Sequence, residues 1–241
     1  MTTSVLVTGA SSGIGVGVVE VLSEAGFAVH AVARRADRLA VLSERTGAVP
    51  HSADVNDLDA MRAIVDEVAP QIVVLNAGRG AGFDGVAATD PAEIAQTVGT
   101  NVTATLQLLH LVLPGMIAQG RGHVVTMGSV AALYPSISAL YGGTKAAIAT
   151  IAQNLRLELG GTGIRVTDIR PGRVSSEFYD VALSDPGKAA TAKDTGIREL
   201  QPREVGEAVR YAISAPWHVN VSAIELQPVE QSYGGMTIAP V

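Results

Sequence analysis

Short apolar runs rich in β-branched residues recur along the whole chain, each followed by a helical pattern. The runs VLV, AVHAVA, IVVL, HVVTM and IRVTDI are apolar on nearly every residue. A strand with one face in water alternates apolar and polar residues, whereas a strand covered on both faces does not. These runs therefore predict a parallel sheet between two layers of helices. Strands are expected near 4–8, 28–33, 49–52, 71–76, 122–128, 163–169 and 222–227, and helices at roughly 13–25, 36–46, 57–67, 91–119, 138–160 and 202–214. Such alternation predicts a doubly wound α/β fold. No repeat, low-complexity tract or linker divides the 241 residues, so one domain over 1–241 is expected. Residues 173–201 differ in texture, being rich in Ser, Asp, Gly, Lys and Thr without a clear period. A segment of that length in a compact domain reads more readily as a lid than as a connector.

Composition narrows the function. The chain is 47% apolar, with a mean hydropathy of +0.30, which suits deeply buried strands and an oligomer interface. The net charge is -6, and there is no basic run and only one Trp, five Tyr and three Phe, which argues against a nucleic-acid surface. Cysteine is absent. That excludes disulfides, a thiol nucleophile and thiolate metal sites, and is compatible with a reducing cytoplasm, the expected location. The start, MTTSVLVTGA, runs directly into the first predicted strand with no basic n-region. The apolar stretch from Leu106 to Ala118 is interrupted by Gln107, His110 and Pro114, and reads as too short and too broken to span a bilayer. The histidines at 30, 51, 110, 123 and 218 are scattered without metal-ligand spacing, so no metal is expected.

The turn after the first strand, VLVTGASSGIG, carries Gly9, Gly13 and Gly15 and opens the first predicted helix. Glycine permits the tight turn and the close approach of a pyrophosphate, which the free N–H groups and dipole of the helix start attract. Taken alone, three glycines are also plain turn chemistry. Asp54-Val55 follows the third strand, and Asn76, Ala77 and Gly78 end the fourth. Each has a bland reading as a cap or turn, but all lie at the ligand-binding edge of an open α/β sheet.

A second constellation involves chemistry. Tyr141 and Lys145 stand four residues apart, sharing a face where a helix begins. Ser129 lies twelve residues upstream at a strand end, and Asn101 a further twenty-eight upstream inside a predicted helix. Singly, these would be a surface contact, a cap and a solvated amide. A phenol is a poor proton carrier at neutral pH, and an ammonium beside it favours the phenolate. The expectation is that Lys145 brings Tyr141 into working range near neutral or mildly alkaline pH.

In this order, TGASSGIG, DV, NAG, Asn101, Ser129, YGGTK and Pro171-Gly172 resemble the classical short-chain dehydrogenase/reductase family over essentially the whole chain. The resemblance implies a single Rossmann-type domain with a seven-stranded parallel sheet. It implies Tyr141 as general acid/base, Lys145 holding the nicotinamide ribose, Ser129 bonding the substrate oxygen, and Asn101 ordering a helix distortion and a relay water. Cofactor contacts are implied from Gly9, Ser11, Ser12, Gly13, Ile14, Gly15, Asp54, Val55, Asn76, Ala77, Gly78, Pro171, Gly172 and Val174, besides Tyr141 and Lys145. It also implies a small-molecule alcohol or carbonyl substrate and a homo-oligomer, with helices 91–119 and 138–160 apolar enough to pair across a dimer.

After the second strand, Ala33 stands where an NAD-selective enzyme would carry an acidic group, and Arg34 and Arg35 follow. Guanidinium groups suit a 2′-phosphate, which predicts NADP as cofactor with Arg34 the principal contact, against the alternative of two solvated side chains. The stretch AVRYAISAPWHVNVSAIELQPVEQSYGG, with IRVTDIRPGRV and EFYDV, resembles the NADP-dependent 3-hydroxy acid dehydrogenases, although PGRVSSEF is about one residue shorter than that subgroup's usual stretch. Arg173 is expected either to hold a substrate carboxylate or to pair with Glu177 or Asp180 in the lid, with Arg170 a weaker candidate. The alternatives are a reductase of neutral aldehydes or ketones and, in a different class, a non-catalytic NADP-binding sensor. A hydrolase is disfavoured because Ser129 lacks His and Asp partners in a strand-to-helix elbow.

Overall fold

A computed structural model of the chain describes residues 2–183 and 185–231. Among these, seven strands form one parallel sheet in the order β3-β2-β1-β4-β5-β6-β7. They are β1 (Ser4–Thr8), β2 (Ala28–Ala33), β3 (Val49–Ser52), β4 (Ile72–Leu75), β5 (Gly122–Met127), β6 (Ile164–Pro171) and β7 (Ala223–Leu226). The helices are α1 (Gly13–Glu24), α2 (Ala36–Thr46), α3 (Leu58–Val68), α4 (Pro91–Val98), α5 (Ala104–Gln119), α6 (Ala139–Glu158), α7 (Phe178–Ala182), α8 (Pro186–Lys193) and α9 (Pro202–Ser214).

Strand pleat divides the core into two layers. Val5 and Val7 of β1 face one side, packing with Val18 and Leu22 of α1, Leu39 and Leu42 of α2, and Val205 and Val209 of α9. Leu6 faces the other, with Met61 and Ile64 of α3, Leu108 and Val112 of α5, and Leu155 of α6. The uninterrupted apolar strands follow from this, since both faces are covered. The edge strand β3 is the exception: Val49, Pro50 and Ser52 are exposed.

Three sequence expectations change. The helix expected over 91–119 is α4 and α5 joined by a π turn at Gly99–Thr103. The run Pro91–Gln119 is nevertheless 29 residues long and apolar enough, by length and composition, to cross a bilayer, which the interrupted stretch 106–118 did not suggest. In the fold its Leu108, Leu109, Val112 and Met116 are buried against the sheet. The segment 173–201 holds two helices, α7 and α8, rather than lacking periodic structure; its Ser184 lies outside the described residues. The histidines are not all apart. His30 and His51 meet across β2 and β3, ring nitrogens 3.0 Å apart. Residues 232–235, the end of the quoted C-terminal stretch, lie outside the described residues, as does Met1.

Candidate active site

The glycine-rich turn is braced by the strand beside it. Gly9 has φ +67°, a left-handed conformation that glycine adopts without strain. A Cβ on Gly15 would stand 2.2 Å from the Gly9 carbonyl oxygen, so the turn admits no side chain there. Asn76 Nδ2 donates to the carbonyls of Thr8 (2.9 Å) and Gly9 (3.3 Å). Thr8 Oγ1 accepts from the backbone N–H groups of Asn76 (3.1 Å) and Ala77 (3.0 Å). Asn76 and Ala77 thus shape the turn. Gly78 borders the catalytic group: a Cβ there would lie 3.3 Å from Asn101 Oδ1 and 3.8 Å from Lys145 Nζ. Ser12 is the N-cap of α1 but its side chain caps no helix N–H, which leaves those donors to an anion. Ile14 and Val174 pack against the first core layer and Val55 against the second.

The arginines after β2 take different places. Arg34 has a side chain 77% exposed, with Nη1 3.7 Å from Asp54. Arg35 reaches back over the glycine turn, its Nε donating to Ser11 Oγ (3.1 Å) and Nη2 to Ser12 Oγ (2.7 Å). Arg35, rather than Arg34, is therefore the guanidinium adjoining the glycine-rich turn. Burial acts to raise the Asp54 carboxyl, but bonds from the Asn56 backbone and side chain, with Arg34 nearby, hold it below its ordinary value.

The chemical group assembles at the ends of β5 and α6. Ser138 N-caps α6: its Oγ accepts from Tyr141 N (3.0 Å) and donates to the Ala81 carbonyl (2.6 Å), so the cap also fixes the loop after β4. Ser129, following β5, accepts from Ala131 N at 3.1 Å, and its hydroxyl faces the Tyr141 phenol closely enough to favour the ionised form. Lys145 is buried, and Nζ donates to the Met127 carbonyl at 2.7 Å; it stands 5.8 Å from the Tyr141 ring centroid.

Burial dominates the electrostatics of the chain's own groups here. Burial pushes the Tyr141 phenol up to about 12, with Ser129 opposing and Tyr179 adding to the rise. Burial likewise pulls Lys145 down to about 8, with Asp168 opposing. The ammonium is turned to a backbone carbonyl, and the loss of water around the phenol outweighs it. Asp168, missed in the sequence, is fully buried on β6, where it accepts from Thr126 Oγ1 (2.8 Å) and Arg170 Nε (2.6 Å). Arg170 is thereby committed to that ion pair.

Asn101 lies in the π turn, where its Oδ1 accepts from Arg79 N (2.8 Å) and Nδ2 donates to the Arg79 carbonyl and to Thr144 Oγ1 (2.9 Å each). The extra residue of the π turn aims this side chain inward, where a regular helix would not place it.

The segment after β6 closes over the tyrosine. Pro171 ends the strand, and Gly172 N donates to the Leu226 carbonyl (2.8 Å). Arg173 is not available to a substrate carboxylate: Nε donates to Glu199 (2.8 Å), Nη1 to Tyr179 Oη (3.3 Å) and Nη2 to the Ala192 carbonyl, with the side chain only 8% exposed. Its ion pair is with Glu199, whereas Glu177 pairs with Arg35 and Arg38 and Asp180 with Lys193. Phe178 packs on Tyr141 at 5.2 Å between ring centroids, and Phe83 does so at 6.0 Å. Neither aromatic is given a role by the sequence, because each lies in a loop-like stretch without period. Among the described residues, no group of three or more His, Cys, Asp or Glu is placed to hold a metal ion.

Residues 3–186 match the family model described as short chain dehydrogenase. The chain is 34% identical over 244 residues to the NADP-dependent 3-hydroxy acid dehydrogenase YdfG of Escherichia coli (strain K12), covering 97% of this chain and 98% of that one. It is 33% identical over 246 residues to serine 3-dehydrogenase of Rhizobium radiobacter, covering 99% and 98%. A solved structure, the closed form of serine dehydrogenase complexed with NADP+, superposes with a TM-score of 0.91 at 33% identity, covering 99% of this chain and 100% of that one.

Proposed function

The chain belongs to the short-chain dehydrogenase family, and from that premise we propose how its residues serve the reaction. It is an NADP-dependent oxidoreductase acting on CH–OH groups and the corresponding carbonyls, like its relatives. The residues present fit the cofactor: a side-chain-free turn, uncapped N–H groups at α1 and the guanidinium of Arg35 suit its phosphates. When bound, the cofactor supplies or accepts the hydride.

The remaining roles fall to the chain. Tyr141 exchanges a proton with the substrate oxygen, Ser129 donates a hydrogen bond to that oxygen, and Lys145 contributes positive charge and ribose contacts. The observation carrying this reading is the convergence of the Tyr141 phenol, the buried Ser129 hydroxyl and buried Lys145, whose Nζ stands 5.8 Å from the phenol ring centroid one turn along the same helix. A phenol held near 12 is protonated at neutral pH, which suits donation to a nascent alkoxide, the direction of carbonyl reduction. Asn101 joins the proton path through its π turn, and residues 173–201 act as the substrate lid of a single domain.

The substrate is a small 3-hydroxy acid or its semialdehyde or keto form, a reading supported by the relatives' activities. A neutral aldehyde or ketone is the second reading. It is favoured by the commitment of Arg173 to Glu199 and by the aromatic surface of Phe83 and Phe178 around Tyr141. Exposed Leu106 and Ile117 on α5 and Leu157 on α6, the last 84% exposed, support pairing with a second copy, as a dimer or tetramer. The lack of any cysteine fits a reducing cytoplasm. Initial rates with NADPH and NADP+ across semialdehydes, 3-oxo acids, neutral ketones and hydroxy acids test the assignment. Turnover of none of these would overturn it, and turnover confined to neutral carbonyls would select the second reading.

A further inference from the structure

Glu177, immediately before α7, joins the lid to the far side of the cofactor cleft. Its carboxylate oxygens each accept from Arg38 Nη1 at 2.8 Å, and one accepts from Arg35 Nη1 at 3.4 Å. Arg35 donates at the same time to Ser11 and Ser12 of the glycine turn. Arg38 stands three residues beyond Arg35, so both guanidinium groups leave the first turn of α2 on one side. The neighbours of Glu177 confirm where this part of the lid lies. A Cβ on Gly13 would come 3.1 Å from Ser176 Cβ, and one on Gly80 would come 2.4 Å from the Phe178 ring. Three consecutive residues thus touch the pyrophosphate turn, the arginines after β2, and the aromatic wall beside Tyr141.

A carboxylate and a phosphate monoester present the same chemistry to a guanidinium: acceptor oxygens and negative charge. Two anions cannot share the same N–H groups, and placed side by side they repel. We infer that Glu177 competes with the 2′-phosphate of the cofactor for Arg35 and Arg38. The carboxylate holds the lid against α2 until the phosphate takes the arginines and releases it. An adenine nucleotide without the phosphate leaves the ion pairs in place. This makes Glu177 and Arg38 determinants of cofactor selectivity from opposite directions, one against the phosphate and one for it. The inference rests on the NADP reading above.

Titration calorimetry on the full chain separates the two. The probes are adenosine 2′,5′-bisphosphate and 5′-AMP, tested on wild type, Glu177→Gln, Glu177→Ala and Arg38→Ala. Wild type binds the bisphosphate more tightly than 5′-AMP. Both Glu177 variants bind the bisphosphate about threefold to tenfold more tightly than wild type, the size expected from relieving exposed ion pairs, and the gain shrinks at high salt. Their affinity for 5′-AMP is unchanged, which also shows that the turn is intact. Arg38→Ala weakens the bisphosphate alone. If wild type does not distinguish the probes, the cofactor reading fails and the inference with it. If wild type prefers the bisphosphate but neither Glu177 variant binds it more tightly, the cofactor reading stands and the competition is overturned.

Discussion

Lys145 follows Tyr141 by one helical turn, yet its ammonium donates to the Met127 carbonyl at 2.7 Å and stands 5.8 Å from the phenol ring centroid. The ammonium is therefore bonded to the backbone rather than to the phenol. Both partners are displaced from their ordinary values by burial, the phenol to about 12 and the ammonium to about 8.

The first expected outcome follows from that arrangement. Tyr141→Phe abolishes turnover and leaves NADPH binding largely intact, since only the proton donor is lost. Lys145→Met reduces both turnover and cofactor affinity but stabilises the fold. A lysine whose folded value lies below its unfolded one lowers stability by the full amount below the folded value, where both states hold the proton, a cost of roughly 3 kcal/mol at neutral pH. Stability of the wild type therefore rises with pH between about 8 and 10.5, and the advantage of Lys145→Met shrinks over the same interval. Denaturant unfolding at pH 7 and 10 measures it; a variant no more stable at pH 7 would contradict the burial argument.

Arg35 and Arg34 are separable by kinetics. Arg35→Ala is expected to lower kcat/KM for NADPH by about tenfold to a hundredfold, the loss of a charged hydrogen bond. Arg34→Ala is expected to have a smaller effect, because its side chain is solvated. A larger loss from Arg34→Ala would restore the order that the sequence suggested.

Arg173 is bonded to Glu199, Tyr179 and the Ala192 carbonyl. Arg173→Ala is thus expected to loosen the lid and to reduce kcat/KM equally for carboxylate and neutral substrates. A loss confined to carboxylate substrates, read by steady-state kinetics on both classes, would show that the guanidinium leaves Glu199 during turnover.

His123 makes acid stability predictable. The Thr167 hydroxyl donates to the Val221 carbonyl at 2.7 Å, so His123 Nε2, 2.8 Å away, must carry the proton that Thr167 accepts. The ring is fully buried, and burial, with Arg165 nearby, pulls it down to about 3. Because its folded value lies below 6.5, the unfolded chain binds the proton first as pH falls. Stability then declines by up to about 1.4 kcal/mol per pH unit from 6.5 towards 3, and this contribution is flat above 6.5. His123→Gln keeps an N–H donor and should flatten the slope of unfolding free energy against pH; an unchanged slope would place the titration elsewhere.

Much of this was legible in the sequence because periodicity reports burial. All seven strands were foreseen to within two residues, since a parallel sheet makes its strands apolar throughout. The π turn was not, because Gly99–Thr103 inserts a residue without disturbing the apolar pattern on either side. Helices α7 and α8 are too short for a period to emerge, although Asp185-Pro186 is a readable cap and first turn. Among candidate site residues, the fold gathers Ser129, Tyr141 and Lys145 where β5 ends and α6 begins, and Asn101 reaches Thr144 on that same helix. The partners of Arg35, Arg173 and Lys145 were not legible. Each is set by a contact between segments far apart in the chain, and local spacing carries no record of which acceptor a long cation will reach.

Asn101 spends both amide protons on different neighbours, one on the Arg79 carbonyl and one on Thr144 of α6. Its carboxamide therefore behaves as a two-channel gauge. In a nitrogen-15-labelled sample, one resonance of the NH2 pair follows the loop beyond β4 and the other follows the helix bearing Tyr141. Unequal movement of the two signals during a titration would time the cofactor side of the cleft against the proton-transfer side, without any probe being added to the molecule.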